Sequence, residues 1–199
     1  MSRARTLARR CAVQALYQWQ LSGNALSDIE RQLLEEVAMT GALLRRFRAG
    51  EALTVAEEDL LQELLEQYGR PGPEGEPPSG APQALKDLAE QCPKPEIHTA
   101  YFKEVLHAVP RHLDAIDGAI EEFSDRPVAN IDPVERAILR IGAYELLFKP
   151  EIPYRVAVNE GIDLAKQFGA AQSHKYVNGL LDKIARRHRA AEVEQRAGR

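Results

Sequence analysis

Arginines at the start of the chain are the residues best suited to contact phosphate. Within the first twenty residues there is no acid, and there are four arginines: Arg3, Arg5, Arg9 and Arg10. A guanidinium is always charged and can grip a phosphate through two parallel hydrogen bonds. A basic surface also attracts nucleic acid by releasing the counterions that surround its phosphates. By itself this pattern is more typical of a solvated terminus, and a phosphate-binding surface is the alternative.

An aromatic side chain follows these arginines at helical spacing. On a helix, Arg10, Gln14 and Tyr17 share one face, because residues three and four apart are neighbours. Arg5 and Arg9 share another face for the same reason. Unpaired RNA bases stack on aromatic rings and on guanidinium planes. The residues alone favour a Tyr17 packed in the core with its hydroxyl at the rim, and a stacking role is the alternative.

Charge is distributed unevenly along the 199 residues. Residues 51–96 contain eleven acidic and three basic residues, whereas residues 166–199 contain eight Lys or Arg and three acidic residues. The net charge of −4 therefore combines two basic ends with an acidic middle. The basic ends favour a phosphate-containing partner over a neutral one.

Motifs for catalysis and metal binding are weak in this sequence. Glu104 and His107 have the Glu-x-x-His spacing of di-iron helical bundles, but such a site needs a second pair and two further glutamates. The sequence contains no second Glu-x-x-His, no phosphate-binding loop and no nucleophile elbow. Cys11 and Cys92 form neither a zinc motif nor a disulfide framework, which favours the cytoplasm. We therefore expect no enzyme, no cofactor and no metal site. The apolar stretches also fall short of the ~18 residues of a membrane helix.

Apolar residues recur at helical spacing over most of the chain, which predicts an all-α protein. The first helix is predicted over about residues 3–21, and it contains both the arginines and Tyr17. Four prolines and four glycines within residues 69–80 exclude a helix there and predict a loop. This loop belongs to an acidic insert over about residues 40–96.

Capping residues predict where several helices begin. These residues are Ser27, Thr54, Asp132 and Ser173. The start at Asp132 is the clearest, because Pro133 suits the first helical position and Glu135 the third. The helix that follows is apolar nearly all round, so we expect it at the centre of the protein. Glu135 has an alternative role as a capping residue alone.

Five segments of the chain together resemble the NusB family of bacterial transcription antitermination factors. They are Arg9 to Leu21, Asp132 to Leu147, Pro153 to Glu160, Ala165 to Gly169 and Ser173 to Lys183. The resemblance covers about residues 3–36 and 97–187. It implies an all-helical bundle of two three-helix lobes, to which the insert adds a helical and Pro/Gly-rich part. We expect one RNA-binding domain over residues 1–199, with a basic tail over about 186–199.

The resemblance to the NusB family also implies a function. Members bind the boxA element in the leader of ribosomal RNA transcripts, jointly with the ribosomal protein NusE, and the complex acts on RNA polymerase to suppress termination. The implied RNA-binding residues are Arg3, Arg5, Arg9, Arg10, Tyr17, Lys175 and Tyr176. The implied partner-binding residues are Glu135 and Gln172. For Lys175 the alternative is an ordinary surface lysine.

Two alternative functions keep the same fold. NusB-like domains also form the N-terminal part of some ribosomal RNA cytosine methyltransferases, where they act as RNA-binding or interaction modules. A homodimeric helical adaptor is the other alternative. Thr6 and Leu7 interrupt the basic run at the start of the chain, so RNA affinity from the first helix alone is expected to be lower than in members with consecutive arginines.

Overall fold

A computed structural model describes residues 3–68 and 97–197 of the chain. Among these residues there is no strand, so the all-α prediction is confirmed. The helices are α1 (Arg3–Ser22), α2 (Leu26–Arg48), α3 (Val55–Tyr68), α4 (Thr99–Arg111), α5 (Leu113–Glu121), α6 (Pro133–Phe148), α7 (Tyr154–Phe168), α8 (Ser173–His188) and α9 (Ala190–Ala197). A short 3-10 turn, Val128–Asn130, precedes α6. The loop predicted over residues 69–80 lies outside the described residues.

The helices form two groups of three, in agreement with the predicted lobes. Helices α1, α2 and α4 pack together in one lobe, and α6, α7 and α8 pack together in the other. Helix α1 also packs along α6 and so joins the two lobes. The two helices run antiparallel, since Gln20 near the end of α1 bonds Pro133 at the start of α6, and Arg9 bonds Glu145 near the end of α6.

Helix α6 is the central helix, as its apolar sequence predicts. Asp132 caps it by accepting hydrogen bonds from the backbone amides of Val134 and Glu135 at 2.9 and 3.3 Å. Every residue from Ala137 to Leu146 is buried. At Gly142 of this helix an added Cβ would lie 2.7 Å from the side chain of Leu181 on α8. The glycine therefore allows α8 to approach α6 closely.

A smaller apolar cluster joins α2 to α3. Its buried residues are Leu43, Leu44 and Leu61. The predicted capping box is present, because the Glu57 amide donates to Thr54 Oγ1 at 3.3 Å and the Thr54 amide donates to Glu57 Oε2 at 2.9 Å. Arg46 on α2 also pairs with Glu57 at 2.6 Å. The described part of the insert is thus folded against α2.

Two predicted caps are wrong. Helix α2 begins at Leu26, one residue before Ser27, and its capping position is Ala25. Leu26 packs against the core, which brings the helical turn forward. Ser173 is the first residue of α8 rather than its cap, and its side chain is buried. In both cases the packing of the first turn, and not the hydroxyl, sets where the helix begins.

Candidate nucleic-acid interface

The four N-terminal arginines have different environments on α1. Arg3 and Arg5 are exposed at the start of the helix, and Arg10 is partly buried in its middle. The Arg5 guanidinium lies 5.7 Å from the ring centroid of Tyr101 on α4. Arg9 is only 1% exposed. Its guanidinium is therefore inside the protein, unlike the other three.

The buried guanidinium of Arg9 holds two carboxylates. Its Nε lies 2.7 Å from Glu145 Oε1 on α6, and its Nη1 lies 3.6 Å from Glu160 Oε2 on α7. Tyr101 donates its hydroxyl to the same Glu145 oxygen, and its ring centroid is 5.2 Å from the guanidinium. Thr6 donates to Glu160 at 2.9 Å. Burial raises the pKa of Glu145, and the charge of Arg9 opposes that rise.

The expectation that Arg9 contacts RNA does not agree with this placement. A side chain that is 1% exposed and paired with Glu145 presents no donor to a phosphate at the surface. The physical reason is that two buried carboxylates need a cation, and α1 supplies it when it packs against α6 and α7. Both carboxylates lie more than one hundred residues further along the chain, so the spacing of the arginines could not predict them.

Tyr17 lies near the other end of α1 and is 37% exposed. Gln20, one turn further on, fixes this end against the start of α6. Its Nε2 donates to the Pro133 carbonyl at 3.1 Å, and its Oε1 accepts from Arg136 and Arg140 at 2.8 and 2.6 Å. The side chain of Tyr17 therefore projects from a part of α1 that is held firmly on the second lobe.

Tyr176 on α8 is paired with an arginine that sequence analysis missed. The Arg126 guanidinium lies 5.2 Å from the Tyr176 ring centroid, and Ser124 Oγ lies 3.1 Å from the Tyr176 hydroxyl. Asp125 holds the guanidinium through bonds of 2.9 and 3.0 Å. The hydrogen bonds to Asp125, and then the negative charge of Asp125, raise the pKa of Arg126. Arg126 thus lies over the ring of Tyr176, a residue that the sequence singled out.

No pattern in the sequence marks Arg126. It lies in the short connection between α5 and α6, and Tyr176 follows it by fifty residues. Only the packing of α8 beside that connection brings the guanidinium over the ring. The aromatic and cationic planes together form the type of surface on which unpaired bases stack.

The remaining predicted residues lie at the start of α6 and of α8. Glu135 is partly buried in the first turn of α6. Gln172 is exposed at the capping position of α8, and its carbonyl accepts from the amide of Lys175 at 3.0 Å. Lys175 is exposed as well. The structure therefore places Glu135 at the start of α6 and leaves Gln172 and Lys175 at the surface of the same lobe, at the start of α8.

The exposed residues of α1 are spread along the helix. Twelve residues separate Arg5 from Tyr17, which corresponds to about 18 Å at the helical rise of 1.5 Å per residue. Arg10 lies between them. An extended strand that contacts both ends has to run along α1 rather than bind at one point.

The pair with di-iron spacing has other partners. Glu104 accepts from the Tyr144 hydroxyl at 3.0 Å and pairs with Lys149 at 2.7 Å. His107 Nε2 lies 2.7 Å from Glu30 Oε2. Within residues 3–68 and 97–197, His, Cys, Asp and Glu form no group of three that could hold a metal ion. In that same part of the chain, none of the helices combines the length and the apolar character needed to cross a membrane.

Comparisons with known proteins identify the family. A model of the NusB family matches residues 79–186. The transcription antitermination protein NusB of Methylococcus capsulatus is 51% identical over 196 residues, which cover 98% of each chain. That of Nitrosococcus oceani is 37% identical over 99% of this chain and 95% of its own. A solved structure of T. maritima NusB matches with 28% identity and a TM-score of 0.43, over 80% of this chain and 94% of its own.

The two curated relatives are named as antitermination proteins, so the expectation of a non-enzymatic protein is confirmed. A family model that matches more than half of the chain and a relative that is 51% identical over nearly its whole length show that the chain belongs to the NusB family.

Proposed function

We propose that the protein is a transcription antitermination factor of the cytoplasm. In this proposal it binds boxA RNA of ribosomal RNA operon transcripts together with the ribosomal protein NusE, and the complex acts on RNA polymerase. The observation that carries the proposal is the arrangement of exposed arginines and an exposed tyrosine along one helix: Arg3 and Arg5 begin α1, and Tyr17 lies about 18 Å further on.

The two ends of α1 have different tasks in this proposal. Arg3 and Arg5 contact phosphates, which gives affinity without a choice of sequence. Tyr17 and the Arg126–Tyr176 pair stack on unpaired bases, which holds the strand in register. Arg9 acts indirectly, because its hydrogen bond to Glu145 and its ion pair with Glu160 hold α1 against the second lobe. Phosphate binding is thus assigned to the start of α1, and stacking to its other end and to Tyr176 on α8.

The partner surface is proposed around Glu135 and Gln172. Glu135 is an acidic side chain in the first turn of α6, and Gln172 offers an exposed amide at the start of α8. A ribosomal protein with basic and polar side chains complements such a surface. Gln172 and Tyr176 are four positions apart at the start of α8, so RNA and partner would meet close to each other there. This proximity supports joint binding rather than two independent sites.

Binding measurements at two salt concentrations test the proposed function. Fluorescence anisotropy of a labelled boxA RNA is measured with the protein alone, with NusE alone and with both. We expect affinity to fall as salt rises, because phosphate contacts release counterions. NusE is expected to tighten binding beyond the sum of the separate proteins. Absence of binding at low salt with both proteins present would contradict the proposal.

A further inference from the structure

A cavity of about 410 Å³ lies beside Tyr17, between α1 and α2 and next to α6 and α7. The rings of Tyr17 and Phe168 form part of its wall. Polar side chains also line it, namely Gln14, Gln18, Gln32 and Glu36. The rest of the lining is aliphatic. Its volume falls within the range of roughly 300–1,000 Å³ that is usual for ligand sites.

The lining has the chemistry that a nucleobase requires. A base is planar and apolar on its faces, and these faces stack on aromatic side chains. Its edge carries both donors and acceptors of hydrogen bonds, which glutamine amides can pair with. Tyr17 and Phe168 offer the aromatic contact, and the three glutamines offer the amides. Gln32 Nε2 already donates to Glu36 Oε1 at 3.0 Å.

One amide in the lining has an unused acceptor. Gln14 Oε1 is buried and accepts no hydrogen bond from any residue in the described ranges 3–68 and 97–197. Gln20 on the same helix differs, because its amide bonds Pro133, Arg136 and Arg140. A buried acceptor without a donor is unfavourable, so such groups are usually satisfied. An N–H group of a bound base would supply the missing donor.

We propose that this cavity receives one unpaired base of the bound RNA. The base lies against Tyr17 and Phe168, and one of its N–H groups donates to Gln14 Oε1. The inference rests on the proposed RNA binding and adds a site on the α2 side of α1. It assigns a role to Gln32 and Phe168, for which the sequence indicated none, and to Gln14, which the sequence placed on one helical face with Tyr17. A strand that runs along α1 from Arg5 to Tyr17 passes the cavity, because Gln14 and Tyr17 line it.

An abasic scan of the RNA tests this inference. Each nucleotide of the boxA RNA is replaced in turn by an abasic one, and affinity is measured in the presence of NusE. For the unaltered protein, removal of the base at one position is expected to reduce affinity roughly tenfold, which is the usual effect of losing a stacked base. Gln14→Leu keeps the volume of the side chain but removes the amide, so removal of the same base is expected to reduce affinity markedly less. Gln62→Leu, on α3 and outside the lining, is the matched control and should behave as the unaltered protein.

A second variant protects the test against a folding defect. Gln32 is exposed on α2 at the edge of the cavity, so Gln32→Trp fills the site without disturbing the core. It is expected to abolish the difference between the abasic and the normal nucleotide at the same position. Circular dichroism and thermal unfolding confirm that each variant is folded before its affinity is measured.

The outcomes separate this inference from the proposed function. If the unaltered protein with NusE does not bind RNA at all, both fail. A second result overturns only the cavity inference: the unaltered protein binds RNA but loses the same affinity at every abasic position as Gln14→Leu and Gln32→Trp do. A third outcome also overturns it: the two variants weaken NusE binding in the absence of RNA, which would assign the cavity to a protein side chain.

Discussion

Arg9 and Glu145 are 136 positions apart in the sequence, yet Arg9 Nε lies 2.7 Å from Glu145 Oε1 and both side chains are 1% exposed. This ion pair joins α1 to α6 across the two lobes. Because the exposed arginines and Tyr17 lie on α1, the pair determines where these side chains stand relative to Arg126 and Tyr176. Helix α1 therefore carries both a buried ion pair of the core and exposed residues that are proposed to contact RNA.

Arg9→Ala is expected to destabilise the protein. The substitution leaves Glu145 buried without its cation, and removal of one partner of a buried ion pair costs about 3–5 kcal/mol. The free energy of unfolding from urea denaturation measures the effect. Arg5→Ala serves as the control, because Arg5 is exposed and its removal should cost less than about 1 kcal/mol. An Arg9→Ala protein as stable as the Arg5→Ala protein would contradict the structural role of the ion pair.

The double substitution of Arg3→Ala and Arg5→Ala is expected to weaken RNA binding and reduce its dependence on salt. When a protein makes one fewer contact with the phosphates of a single strand, the slope of log K against log salt decreases in magnitude by about 0.7. Anisotropy titrations at several salt concentrations provide that slope. Arg45→Ala, which removes an exposed arginine of α2, should leave both affinity and slope unchanged. A slope that stays the same in the double variant would exclude these arginines from phosphate binding.

Tyr176→Ala is expected to weaken RNA binding by about 1–3 kcal/mol, the usual contribution of a stacked base. Tyr176→Phe keeps the ring and removes only the hydroxyl that faces Ser124, so it should bind almost as well as the unaltered protein. Arg126→Ala should show an intermediate effect, because the ring remains but its cationic neighbour is gone. The same titrations measure all three variants.

A matched pair elsewhere on the protein controls for general effects of such changes. The Arg155 guanidinium lies 5.8 Å from the Tyr154 ring centroid on α7, an arrangement similar to that of Arg126 and Tyr176. Arg155→Ala should leave RNA affinity unchanged. Equal decreases in affinity for Arg126→Ala and Arg155→Ala would mean that the cation at Tyr176 has no specific role.

Stability is expected to fall in acid partly through Glu30. A hydrogen bond from Lys103, and a second contact with His107, lower the pKa of Glu30 below its ordinary value of 4.5. A carboxylate with a lowered pKa in the folded state stabilises the protein above pH 4.5, and the contribution disappears as the pH falls through that lowered value. Glu30→Gln should therefore destabilise the protein at about pH 7, and this destabilisation should shrink as the pH falls below 4.5. Unfolding experiments over a series of pH values measure the change, and Glu35→Gln on the exposed side of α2 is the control.

Arg189→Ala is expected to destabilise the end of α6. The Arg189 guanidinium donates to four carbonyl groups around that end, at distances from 2.7 to 3.3 Å: those of Glu145, Leu146, Lys149 and Pro150. Helix ends leave such carbonyls without partners, and removal of the charged donor should cost about 2 kcal/mol. Arg186→Ala removes an exposed ion pair with Asp182 and should cost less than about 0.5 kcal/mol. Similar melting temperatures of the two variants would contradict this capping role.

Local features were predicted well where their cause is local. Asp132 and Thr54 cap the helices that follow them, because each bond joins residues two or three positions apart. The central position of α6 followed from its apolar sequence in the same way. The predicted caps at Ser27 and Ser173 were wrong. The packing of Leu26 and of the first turn of α8 overrides the preference of a hydroxyl for the capping position.

The candidate interface was predicted only in part. The sequence pointed to Tyr17, Glu135 and Tyr176, and the structure adds Arg126, whose guanidinium lies over the ring of Tyr176. Nothing in the sequence distinguishes Arg126 from other arginines, because its position over Tyr176 depends on how α8 packs beside the connection before α6. The cavity beside Tyr17 was hidden for the same reason: its lining comes from four helices.

Residue type and spacing alone determined that this chain is helical, where most of its helices lie and that its first helix is basic. Tertiary structure alone decided which of those basic residues are exposed to solvent. Arg5 and Arg9 are one turn apart with identical side chains, yet one is exposed and the other is buried between two carboxylates. A charge enters a protein interior only where opposite charges compensate for the lost water, and those charges come from distant parts of the chain.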